Sequence, residues 1–158
     1  MKRFLCIVIS LMMIVISGCD NKQTPIENDT SFFTETQHEQ ETNLILQIDG
    51  ILVDVTWENN ETVKALKELS SDGDVVIATH QYGGFEQVGE LPQSLPRNDI
   101  QTDTSAGDIV LYNGNQLVIF YGSNSWSYTK LGNINGLSEN ELVKILAKSN
   151  TAVTLSTK

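Results

Sequence analysis

His80 and Glu86 are the two side chains best suited by type and spacing to proton chemistry. A histidine acting as a general base works with a partner carboxylate, and Glu86 is the nearest candidate in sequence. The alternative for His80 is a partly exposed histidine that closes a strand, since one histidine without cysteine makes a poor zinc site. His38, the other histidine, stands in a stretch with no apolar period. Asp72, Asp74, Asp99, Asp103 and Asp108 offer oxygens of the kind calcium takes, but their spacing fits no calcium loop, and turn or strand-end roles account for most of them. No G-x-S-x-G elbow, H-E-x-x-H pair, glycine–lysine phosphate loop or dinucleotide fingerprint occurs, so hydrolase, nucleotide-binding and oxidoreductase readings lose their usual support. No catalytic residue, metal site or cofactor is expected on these grounds. The aromatic residues are the remaining lead. Tyr82, Phe85, Tyr121, Trp126 and Tyr128, with Glu86 among them, form the candidate ligand-binding set, because aromatic faces beside Asn and Ser can hold a peptide, a protein segment or a sugar ring. Core packing competes for the same residues, and strand alternation puts at least half of the aromatics inside.

Composition narrows the setting. The chain has 158 residues, a formal charge of −10 and two cysteines, Cys6 and Cys19. Lys2 and Arg3 precede an apolar run from Phe4 to Ile16 that is short for a membrane span and suits a cleavable export signal. The run ends in Ile16-Ser17-Gly18-Cys19, which resembles the lipobox of bacterial lipoproteins. That resemblance implies a diacylglycerol on the Cys19 thiol, cleavage after Gly18, and a location at the extracytoplasmic face of the cell membrane. Residues 1–18 are then the signal peptide, and 8 basic residues remain against 20 acidic ones. Such an excess argues against a nucleic-acid partner and against electrostatic binding to anionic lipid, leaving the lipid on Cys19 as the membrane contact. The domain after Cys19 has no cysteine, so packing alone must hold it.

Residues 19–42 read as a flexible tether. Asp20 to Thr42 is rich in Asn, Gln, Thr and Glu and cannot bury enough surface to offset the entropy of ordering. Phe32-Phe33 is its one apolar pair, either a short docking patch or an unremarkable exposed one.

Residues 43–158 read as one folded domain. Leu44 to Ile48 and Ile51 to Val55 alternate about Asp49-Gly50, a hairpin signal. Asn59 or Asn60 caps a helix with Val63, Leu66 and Leu69 on its apolar stripe. Val75 to Ile77 suits a buried strand. Gln81 to Asn98, with three glycines and the pairs Leu91-Pro92 and Leu95-Pro96, reads as a long shaped loop. Asp108 to Tyr112 and Gln116 to Tyr121 flank Asn113-Gly114, a second hairpin. Trp126 to Leu131 is a strand. Ser138 and Glu141 form a capping box ahead of Leu142, Ile145 and Leu146, and Thr151 to Ser156 is a last strand. The fold class is mainly β with two short helices, suited to a small closed barrel or a strongly curved sheet capped by helices.

Four stretches give the domain a family resemblance. These are Asn60-Glu61-Thr62-Val63-Lys64-Ala65-Leu66; Tyr82-Gly83-Gly84-Phe85-Glu86 running on to Leu91-Pro92 and Leu95-Pro96; Ala106-Gly107-Asp108-Ile109-Val110-Leu111-Tyr112 running on to Ile119-Phe120-Tyr121-Gly122; and Leu131-Gly132-Asn133-Ile134. Together they resemble the bacterial and archaeal cyclophilin-like domain family, whose members have no established activity. Leu69-Ser70 stands where that family usually has Leu-Pro. The resemblance implies an eight-stranded cyclophilin-like barrel with helices over its open ends. It does not confer prolyl isomerase activity, because fold and function are separable. Authentic cyclophilins use a groove arginine, and the only arginine after Cys19 is Arg97, in the Leu-Pro stretch. The reading is therefore a lipid-anchored binding or interaction module, with a divergent peptidyl-prolyl isomerase as the second.

Cys19→Ser is expected to block lipid attachment, because the thioether needs that sulfur, and the precursor should accumulate uncut. Partition of the variant into detergent after loss of its signal would show the lipoprotein assignment to be wrong.

Overall fold

The computed structural model describes residues 43–158, and the expectations for the signal segment, Cys19 and the tether lie outside them. Three tight turns organise the sheet. Asp49 and Gly50 both take positive φ, 49° and 78°, and join β1 (Leu44–Ile48) to β2 (Ile51–Val53). Asn113 and Gly114, at 52° and 81°, join β7 (Asp108–Tyr112) to β8 (Gln116–Phe120). Two consecutive left-handed residues match the twist of the strands they connect, which is why Asp-Gly and Asn-Gly mark such hairpins. Gly83 and Gly84, at 61° and 79°, do the same between β4 (Val75–Tyr82) and β5 (Glu86–Glu90).

This third hairpin corrects the long-loop expectation for Gln81 to Asn98. Only the part after Glu90 is irregular, and Leu91 and Leu95 anchor it in the core. A further strand not expected from sequence, β6 (Ile100–Thr104), follows it. The strand expected over Ile51 to Val55 is also divided: after Asp54 the chain leaves β2 and forms β3 (Val55–Trp57) on another partner. The remaining elements are α1 (Glu61–Leu69), β9 (Asn124–Ile134), α2 (Glu139–Leu146) and β10 (Asn150–Thr157).

The hydrogen-bonded order is β2-β1-β10-β4-β5-β8-β7-β9-β3, every pair antiparallel, with β6 added to β9. The ends of this path, β2 and β3, are consecutive in the chain, so the sheet curls into a nearly closed barrel. Trp57 Nε1 donates to the Leu44 carbonyl at 2.8 Å across the closure. Ten strands form where the resemblance implies eight, because β2 and β3 are separate short pieces and β6 pairs only with the first half of β9.

The barrel interior is filled by alternate residues of its strands, among them Leu46, Ile48, Ile77, Ile109, Leu111, Leu117, Ile119, Leu131, Val153 and Leu155. The helices pack over it as capped units. Asn60 accepts from the Val63 amide at 2.9 Å and donates to the Lys130 carbonyl at 2.9 Å, tying the start of α1 to β9. Ser138 and Glu141 form the expected capping box on α2, which buries Leu142 and Leu146. On the outer face of β5, β7 and β8 lies a second, smaller core of Val88, Val110, Val118, Phe120 and Tyr128.

Gly114→Val should destabilise the domain by about 1 to 3 kcal/mol, since a β-branched residue is strained at positive φ. A Cβ at this position would sit 3.6 Å from the nearest atom, Arg97 Cδ, so the cost is conformational and not a clash. Gly114→Asn, which tolerates the left-handed region, should lose less. Equal urea midpoints for all three proteins would remove the hairpin as a stability determinant.

Candidate functional site

β9 changes partners part-way along. Asn124 to Tyr128 pairs with β6, while Thr129 to Asn133 pairs with β7 around an irregularity at Ile109/Val110. Its first half therefore stands away from the barrel wall and leaves an open cleft of about 360 Å³ over the outer faces of β4, β5, β7 and β8. Each strand contributes alternate residues, as a pleated wall requires. β4 gives His80 and Tyr82, β5 gives Glu86 and Val88, β8 gives Gln116 and Val118, β7 gives Tyr112, and β9 gives Asn124, Trp126 and Tyr128.

Four of the six residues expected to bind ligand come together here: Tyr82, Glu86, Trp126 and Tyr128. The other two, Phe85 and Tyr121, do not line the cleft. Tyr121 follows outward-facing Phe120 and so turns into the main core, where its hydroxyl accepts from Gln81 Nε2 at 2.6 Å. Phe85 lies flat against Phe120, ring centroids 6.4 Å apart, and supports the outer core from the side. Sequence reasoning missed Tyr112, Gln116, Val88, Val118 and Asn124 as cleft residues. The signal for the first four is strand parity with Glu86 and Tyr128, readable only once the pairings are known.

The aromatic walls are of two kinds. Tyr112 and Tyr128 meet edge to face at 5.9 Å, and Tyr128 meets Phe120 likewise at 5.7 Å, so these rings hold one another. Tyr82 and Trp126 are 63% and 57% exposed and present free faces at the mouth. The Asn124 amide is engaged at both ends, donating to the Tyr128 hydroxyl at 2.9 Å and accepting from the Ser125 amide at 2.9 Å.

Glu86 is the electrostatic anomaly. It is 6% exposed, and its Oε2 is buried without a hydrogen-bond partner. Burial pushes its carboxyl up from 4.5 to about 7, because the charged form has lost water and gained no donor. Desolvation also raises Tyr128, helped by the charge of Glu86. His80 joins Glu86 in the same cleft. No His, Cys, Asp and Glu cluster suited to a metal occurs among the described residues. Arg97 lies elsewhere, 3.5 Å from Asp99 in an ion pair and beside Thr62 and Thr129.

The family model described as the cyclophilin-like family matches residues 46–156. No curated protein matches the chain.

The raised Glu86 carboxyl makes stability depend on pH with a definite sign. The folded state holds the proton up to about 7 while the unfolded chain releases it near 4.5. The stabilisation is therefore complete below the lower value and lost as pH rises to the upper one, by at most about 3 kcal/mol. Asp49 and Asp108, both lowered, act at more acid pH and in the opposite direction. Glu86→Gln should abolish the fall between these limits and leave the variant more stable than the parent above neutrality. Urea melts across this range check it, and an unchanged fall in Glu86→Gln would assign the effect to another group.

Proposed function

Because the chain belongs to the cyclophilin-like family, we propose that it is a binding or interaction module that receives its ligand in the outer-face cleft, held by a lipid on Cys19 at the extracytoplasmic surface of the membrane. The observation that carries the binding role is the lining of the cleft. Tyr82, Tyr112, Trp126 and Tyr128 surround a buried carboxyl, and an aromatic concavity with a few convergent polar groups is the usual form of a ligand site. The anchor rests on the lipobox-like Ile16-Ser17-Gly18-Cys19 and on the short apolar run before it. A peptide, a protein segment or a glycan fits such a cleft.

Prolyl isomerisation is the second reading, and the electrostatics oppose it. Cyclophilin catalysis depends on a guanidinium aimed at charge that changes in the transition state, and preorganised electrostatics of this kind is usually the largest catalytic contribution. The residues lining this cleft include no arginine and no lysine, and Arg97 is paired with Asp99 outside it.

The purified chain should therefore give no acceleration above background with a proline-containing test peptide, and Arg97→Ala should change nothing. A robust rate that collapses in Arg97→Ala would overturn the binding-module reading and move the active site to the Leu-Pro segment.

A further inference from the structure

Resting on the reading of the cleft as a ligand site, we infer that the group it takes is a primary alkylammonium, with its nitrogen at the Glu86 carboxyl and its methylene stem along the aromatic walls. A lysine side chain on a peptide and a small free amine share this chemistry. Three independent features of the cleft select it.

The first is the orphaned acceptor. Oε2 of Glu86 is buried and bonded to nothing, in a residue only 6% exposed that lines the cleft. A buried acceptor without a donor is costly, and a ligand N–H would relieve it. A quaternary ammonium has no such hydrogen, which favours the primary amine.

The second is the wall. Tyr82 and Trp126 are largely exposed, and Tyr112 and the buried Tyr128 complete the aromatic lining. Aromatic faces attract cations through the ring quadrupole and also cover an aliphatic stem. The Asn124 amide is already satisfied at both ends and is not free to read the hydroxyls of a ligand.

The third is charge. The groups that face Glu86 and can titrate are His80 and Tyr82 from β4, Tyr112 from β7 and Tyr128 from β9; β8 contributes only Gln116 and Val118. No lysine or arginine lines the cleft, and the chain carries −10 overall, so an anionic ligand would meet Glu86 with His80 as the one basic side chain of the lining. A cation does the reverse. Its arrival favours the ionised carboxylate, the carboxyl proton passes to solvent, and an ammonium–carboxylate pair remains.

The test uses the full chain in an uncharged detergent, with Nα-acetyl-lysine amide, n-butylamine and the neutral control Nα-acetyl-norleucine amide. Calorimetry gives affinities, and NMR locates binding through the two indole N–H groups. Trp126 reports the cleft, and Trp57, fixed by the Leu44 carbonyl, serves as the control. The lysine amide should bind about tenfold or more tightly than the norleucine amide and shift Trp126 but not Trp57. n-Butylamine binding as well would show that the amine alone suffices; its silence would assign the ligand to a peptide-borne lysine. Glu86→Gln should bring lysine affinity down to that of norleucine, and Trp126→Leu, a change at an exposed position, should weaken it with the fold intact. Equal affinity for lysine and norleucine amides at Trp126 would overturn the ammonium inference while keeping the cleft as a binding site. Amides that shift Trp57 and leave Trp126 unmoved would overturn both.

Discussion

Strands β5, β7 and β8 are covered on both faces, and the rest of the molecule follows from that constraint. Their inward residues, such as Ile109, Leu117 and Ile119, complete the barrel core, while Val88, Val110, Val118 and Phe120 face outward and need cover of their own. An exposed row of this size would be a sticky patch. Tyr128, carried by β9, supplies much of the cover, and for this β9 must pair with β6 as far as Tyr128 and join β7 only from Thr129 onward. The cleft is the space left at the edge of that cover. It is thus a by-product of how a doubly buried wall is closed.

Two carboxylates of this barrel show how donors decide charge. Burial acts to raise both. At Asp108 it is outweighed: the Ser105 amide donates at 2.8 Å, Asn133 Nδ2 at 3.0 Å, and Lys130 Nζ stands 3.4 Å away, so the carboxyl is held below its ordinary value. At Glu86 nothing opposes burial, and the value climbs toward neutrality. Asp108 is fully used, by the turn that starts β7 and by Asn133 and Lys130 of β9. Glu86 is kept without partners, an arrangement that costs stability and is found more often where a group has work to do than where it only fills space.

How far the sequence discloses this depends on which residues carry the signal. Asp49-Gly50, Asn113-Gly114, the Asn60 cap and the Ser138–Glu141 box are local chemistry, and each forms as read. Gly83-Gly84 is equally local, yet the strand after it, Glu86-Gln87-Val88-Gly89-Glu90, has one large apolar residue and four of its five positions buried. Its burial comes from neighbours distant in sequence, so no window of pattern reveals it. β6, Ile100-Gln101-Thr102-Asp103-Thr104, is mostly exposed and polar and owes its existence to pairing with β9. The site divides in the same way. Residue type picks out Tyr82, Trp126, Tyr128 and Glu86, while the inward turn of Tyr121 and the flat packing of Phe85 are settled by parity at strand ends, which depends on register.

Glu86 and Gln87 are adjacent in the chain and stand on opposite sides of the wall. Gln87 is fully buried inside, its Nε2 donating to the carbonyls of Leu146 and Lys148 at 2.6 and 2.7 Å, and its Oε1 lying 2.9 Å from the Thr79 hydroxyl. It closes the C-terminal turn of α2 against the barrel, as Glu86 faces the cleft. One residue gained or lost between Tyr82 and Glu86 would exchange the two, sending a carboxyl under the helix and an amide into the cleft. The hairpin therefore admits change by substitution and resists change in length. The spacing from the glycine pair to this acid–amide pair is thus what keeps the carboxyl on the cleft side of the wall and the amide beneath α2.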